Sequence, residues 1–67
     1  MTRPGAIRQL LVSYLKNARG AESAQSIIIY MHARHGISEA TTRTTLRRLV
    51  QDAAIVRLSR GIYRTPL

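Results

Sequence analysis

The side chains with chemistry to offer in this sequence are mostly cations, and they keep consistent company. Thr41, Arg43, Thr44, Arg47 and Arg48 follow one another closely, and Arg57, Arg60 and Arg64 come soon after. A guanidinium is a planar fork of N–H donors. It takes two acceptors at once, such as two phosphate oxygens or the O6 and N7 of a guanine. A threonine donates to phosphate and offers a methyl group to thymine. Eleven Lys plus Arg stand against three Asp plus Glu, a formal charge of +8 in 67 residues. Six of those eleven cations lie between Arg43 and Arg64, where Asp52 is the one acid. An excess of this size in so small a body favours a polyanionic partner.

Other chemistries find less to work with. Ser13, Ser23, Ser38 and Ser59 have no evident base and orienting acid, so no catalytic residues and no enzyme activity are expected. His32 and His35 lie three apart on one helix, but two ligands without a thiol do not make a metal centre, and no metal or other cofactor is expected. Tyr14, Tyr30 and Tyr63 are spread too widely along the chain for a base-stacking platform, which argues against single-stranded nucleic acid. The longest apolar run, Ile27 to Met31, falls far short of the roughly 20 residues that a membrane span needs. Residues 1–5 lack the apolar stretch of a signal peptide, so a cytoplasmic protein is expected. No small-molecule ligand is inferred.

These side chains need elements to position them, and the pattern supplies one domain over residues 1–67. Its core is necessarily small, and with no cysteine it has no disulfide support. An apolar fraction of 45% is nevertheless too high for a disordered basic tail. Ile7, Leu10, Leu11, Tyr14, Leu15 and Ala18 repeat on one helical face, predicting a first helix over about 5–19 with Gly20 as its stop. Ser23 is a good N-cap for a second helix over about 24–35, with Ala24, Ile27, Ile28, Met31 and His35 along one stripe and Gly36 at its end. Ser38 caps a third helix over about 39–53, with Glu39 in its first turn. Leu46, Leu49, Val50 and Ala53 form its apolar stripe, with Thr42 at the edge. Thr41, Thr44, Arg47, Arg48 and Gln51 take the solvent side, and Arg43 lies at the border.

The period then changes from helical to alternating. Residues 55–65 predict a hairpin turning at Arg60-Gly61, with Leu58 opposite Tyr63, Val56 opposite Thr65 and Arg57 opposite Arg64. Val56, Leu58 and Tyr63 would face the helices. Two arginines directly opposite one another repel, an arrangement suited to an anion beside them.

Three helices and a hairpin make a mainly α chain with a C-terminal β-hairpin, and specific residues extend the match. The stretch GISEATTRTTLRRLVQDAAIVRLSRGIYRTP, Gly36 to Pro66, resembles the recognition helix and wing of winged helix-turn-helix transcription regulators. The counterparts are Gly36 in the turn, Ser38 opening the helix, Leu46 and Leu49 anchoring it, and Gly61 and Tyr63 closing the wing. Threonines and Arg43 stand where an apolar residue usually sits early in that helix, and Ala53-Ala54 where a glycine commonly precedes the wing. The resemblance implies a three-helix winged-helix fold binding double-stranded DNA. Ser38, Thr41, Arg43, Thr44, Arg47 and Arg48 would sit at the major groove, and Arg57, Arg60 and Arg64 on phosphates or a minor groove.

Two apolar side chains fall outside these stripes, Val12 opposite that of the first helix and Ile29 opposite that of the second. Together they suggest a homodimer through helices 1 and 2, reading two half-sites. The expected role is that of a small regulator, most simply a repressor, acting by occupying its site in a bacterial nucleoid or, if encoded by a phage or plasmid, in the host cytoplasm. The alternative is a winged-helix protein-interaction module whose charge meets an acidic partner.

Overall fold

A computed structural model describes residues 4–18 and 20–66. The first helix, α1, spans Pro4–Ala18. Proline suits its opening turn, where a backbone N–H would have no helical partner. Arg19, at the expected end of this helix, lies outside the described residues.

The second helix, α2 (Ala24–His35), takes the three consecutive isoleucines into a helix and not a strand. Both ends are fixed as the sequence implies. Ser23 Oγ accepts the Ser26 N–H at 3.1 Å, and Gly36 adopts φ 67°, a left-handed conformation that only glycine takes without strain. The third helix, α3 (Glu39–Gln51), begins at Ser38, whose Oγ accepts the Thr41 N–H at 3.2 Å.

α3 ends two residues earlier than the apolar spacing predicts. Ala53 has φ 59°, so it leaves the helix in the left-handed region. Its N–H donates to the Val50 carbonyl at 3.1 Å, and the Ala54 N–H reaches back to Leu49 at 2.9 Å. This pair of bonds is the Schellman closure, which satisfies carbonyls that the helix end would otherwise orphan. It turns Ala53 out to solvent, away from the core stripe to which the sequence assigns it.

The wing is formed by β2 (Val56–Ser59) and β3 (Ile62–Arg64), turning at Arg60-Gly61 with φ 76° at Gly61. Its register departs from the expected one. Val56 pairs with Arg64, Arg57 with Tyr63 and Ser59 with Ile62, leaving Leu58 as an extra residue in a bulge. Arg57 and Arg64 are therefore not opposite one another. The bulge also removes Val56 and Leu58 from the expected inward face, and they are 39% and 52% exposed. Ile55, just before β2, is buried in their place, while Tyr63 packs against the core as predicted.

One strand escaped the sequence reading. Glu22–Ser23 forms β1, which pairs antiparallel with β3 and gives a three-stranded sheet in the order β1-β3-β2. Two residues carry too little alternation to register as a strand. The Ala24 N–H extends the contact to the Gly61 carbonyl at 2.7 Å, tying the start of α2 to the wing turn.

The core joins Leu11 and Leu15 of α1, Ile27 and Met31 of α2, Leu46 and Leu49 of α3, and Ile37 and Ile55 from the connections. Each side chain so buried contributes about 1.5–3 kcal/mol relative to exposure. Thr42, assigned to the edge of the stripe, is fully buried instead. Its hydroxyl donates to the Ser38 carbonyl at 3.0 Å, so burial leaves no unpaired donor. Thr45, at the rim of the core, does the same toward Thr41 at 2.8 Å.

Candidate nucleic-acid interface

Burial of Thr42, Thr45, Leu46 and Leu49 decides which side of α3 meets solvent. Opposite them runs a stripe spaced by four, three and four residues: Ala40, Thr44, Arg47 and Gln51, all exposed. Arg43 flanks this ridge on one side, with Thr41 and Arg48 on the other. A helix presenting such a ridge fits the major groove of B-form DNA, where each base pair shows its own donor and acceptor pattern.

The ridge separates two open depressions. The larger, about 690 Å³, lies between α3 and the wing and gathers Arg43, Arg47, Arg57 and Arg60, with Gln51 beside them. No carboxylate lines it. The bulge at Leu58 produces this convergence: it pairs Arg57 with Tyr63, placing Arg57 on the sheet face that Tyr63 turns toward the core. Arg64, paired with Val56, lies on the other face and donates from Nε to the Thr65 carbonyl at 3.3 Å. Of the three wing arginines singled out in the sequence, Arg57 and Arg60 thus join the helix 3 cations and Arg64 does not.

The smaller depression, about 340 Å³, lies between the start of α1 and the opposite flank of α3, and brings Arg8 beside Thr41, Thr44 and Arg48. Arg8 also bridges to Asp52 at 2.7 Å, linking α1 to the cap of α3. Ser38 takes a structural role: besides capping, its hydroxyl donates to Thr41 Oγ1 at 3.0 Å. The Thr41 hydroxyl keeps its own hydrogen for an outside acceptor. Arg8 and Ala40 are the candidates that the sequence does not single out, and Gln51, placed on the solvent side of the helix, was left out of the contact set. The stripe spacing points to Ala40 and Gln51, whereas nothing local links Arg8 to residues some 40 positions away.

The three acids are all engaged. Asp52 holds Arg8, and Glu39 holds Arg43 at 2.9 Å. Glu22 accepts the Tyr14 hydroxyl at 3.1 Å. Among the described residues, Arg47, Arg48, Arg57 and Arg60 have no carboxylate partner. The positive charge they carry is therefore uncompensated at the ridge and its larger depression.

The remaining expected sites fare unevenly. Ile29 is 58% exposed, but Val12 is half-buried against the core, because α1 is enclosed on more of its circumference than its stripe indicates. Of the two residues expected at a dimer interface, Ile29 is thus the more exposed. Tyr14 and Tyr30, distant in sequence, stack with ring centroids 4.1 Å apart, and His35 meets the edge of Tyr30 at 5.7 Å. Tyr14, Tyr30 and His35 thus form an aromatic cluster across α1 and α2, where the sequence leaves them apart. Among the described residues, no group of three metal-ligating side chains comes together, and no helix is long and apolar enough to cross a membrane.

Three helices in this order, closed by a small antiparallel sheet, define a winged-helix fold. No family model and no curated protein matches the chain. Among solved structures, it is similar to a chain from work on the DNA recognition and protein interaction domains of HOP2 and their homologous DNA pairing properties. The TM-score is 0.81 at 24% sequence identity, over 90% of this chain and 98% of that one. At that identity the likeness establishes the fold.

Proposed function

We propose that this protein binds double-stranded DNA, with α3 in the major groove and the wing on the adjoining backbone, as a small transcription regulator acting by site occupancy. The carrying observation is the depression between α3 and the wing, where four arginines from two elements converge and three of them, Arg47, Arg57 and Arg60, have no carboxylate partner among the described residues. Phosphate neutralisation there supplies affinity, and Thr44, Arg47 and Gln51 on the ridge supply base contacts. The fold shared with the HOP2 chain adds support, since that work concerns DNA recognition. Regulation of transcription, the finer part of the proposal, rests on the resemblance of Gly36 to Pro66 to winged-helix regulators.

Selection of duplexes from a random pool tests binding and specificity together. Wild-type protein is expected to enrich a defined sequence, and symmetric half-sites in it would support paired binding. The double variant Arg47→Ala/Arg48→Ala should keep its circular-dichroism spectrum and lose duplex binding in a gel shift. If about six cations meet phosphates, log affinity falls against log salt with a slope of roughly −5. A double variant that shifts duplex as wild type does would remove α3 as the reading element. Binding to an acidic protein but to no duplex would replace the proposal with the protein-interaction reading.

A further inference from the structure

Glu39 places a carboxylate beside the cations of α3. Of the other two acids, Glu22 is taken up by Tyr14, and Asp52, 54% exposed at the C-cap of α3, by Arg8. Glu39 sits in the first turn of α3 with its side chain 62% exposed. That place suits the helix dipole, and an exposed ion pair one helical turn apart adds little beyond it.

The atoms of the contact are more informative. Glu39 Oε2 accepts from Arg43 Nε at 2.9 Å, which leaves both terminal amino groups of Arg43 uncommitted among the described residues. The guanidinium is engaged at Nε by a neighbour on the same helix, and Arg43 lines the arginine-rich depression. A fork fixed in this way loses less freedom on meeting two acceptors in one plane. It also meets a single mobile phosphate less readily, because the carboxylate offsets its charge.

From this contact we infer that Glu39 is a positioning residue that converts Arg43 from a phosphate contact into a reader of guanine, presenting its two terminal amino groups to O6 and N7. The inference rests on the duplex-binding proposal and deepens it: Glu39 sets specificity by lowering affinity for every other sequence. Arg48, Arg57 and Arg60, without such a partner, provide the unspecific part of binding.

The test compares the wild type with Arg43→Ala, Glu39→Ala and Glu39→Gln on duplexes taken from the selection. Arg43→Ala identifies the base pair concerned, as the position at which preference for guanine disappears. At that position Glu39→Ala is expected to lose about fivefold in discrimination. Its affinity for random duplex should rise, with a salt slope steeper by about one, as Arg43 turns to phosphate. Glu39→Gln retains an oxygen to accept Nε and should recover most of the discrimination. A merely structural role for Glu39 would move the melting temperature and leave these ratios alone. Wild-type discrimination in Glu39→Ala, or a Gln variant no better than the Ala variant, overturns the inference while duplex binding stands. If the wild type binds no duplex, the proposed function falls and this inference with it.

Discussion

At Ala53 the chain adopts φ 59° with a side chain that disfavours it. The left-handed region brings a Cβ too close to its own backbone, at about 1–2 kcal/mol for an L-residue. The Schellman closure nevertheless requires that conformation, and burial of Ile55 just beyond it holds the turn in place. Ala53→Gly is therefore expected to stabilise the domain by about 1 kcal/mol, even though glycine raises the entropy of the unfolded chain. In a thermal melt this is a rise of roughly 4–8 °C. Tyr14 gives a second test on the same scale. Burial, then its hydrogen bond to Glu22 and the charge of that carboxylate, raise its pKa above the ordinary tyrosine value. A raised pKa favours the protonated hydroxyl in the folded state. The associated stability is present below about pH 10 and lost as pH climbs through the folded value. An ultraviolet titration should show a tyrosine ionisation step above the ordinary value, and Tyr14→Phe should abolish that step.

At the scale of elements, the wing shows how one extra residue reassigns chemistry. In a simple hairpin Arg57 and Arg64 would share a face. The bulge at Leu58 moves Arg57 to the face that meets α3 and leaves Arg64 behind. Arg57→Ala and Arg60→Ala are each expected to weaken duplex binding several-fold and to make the salt slope shallower by about one. Arg64→Ala should change both much less, as fluorescence anisotropy across a salt series would read. A larger effect from Arg64 than from Arg57 would mean that the wing meets DNA with its other face, and equal effects from all three would remove the distinction between the faces. The alternation of residues 55–65 announced a hairpin but was silent on the bulge, because Val56, Leu58, Ile62 and Tyr63 are apolar enough for either register. Three-stranded closure through Glu22–Ser23 was equally hidden, since two residues define no period.

For the molecule as a whole, a chain of 67 residues has a small core, so a bound partner should add measurably to its stability. A ligand that engages only the folded state stabilises by about 2.7 kcal/mol at one hundred times its dissociation constant. Specific duplex at that excess should raise the melting midpoint by roughly 10 °C or more. Added salt should cancel the rise, because the affinity is largely electrostatic. A midpoint that does not respond to duplex at low salt would count against the interface.

Sequence alone determined the helices, their caps at Ser23, Ser38 and Gly36, and the concentration of cations after Arg43. Each of these depends on neighbours a few residues apart: a hydroxyl reaching the next turn, a glycine tolerating positive φ, a stripe repeating every three or four positions. Tertiary structure decided which cations lie together. Arg8 and Arg48 line one depression, Arg47 and Arg57 another, Arg64 lies on the opposite sheet face, and Val12 is half-buried. Those placements come from packing between segments distant in the chain and from a single-residue bulge, neither of which leaves a local period to read.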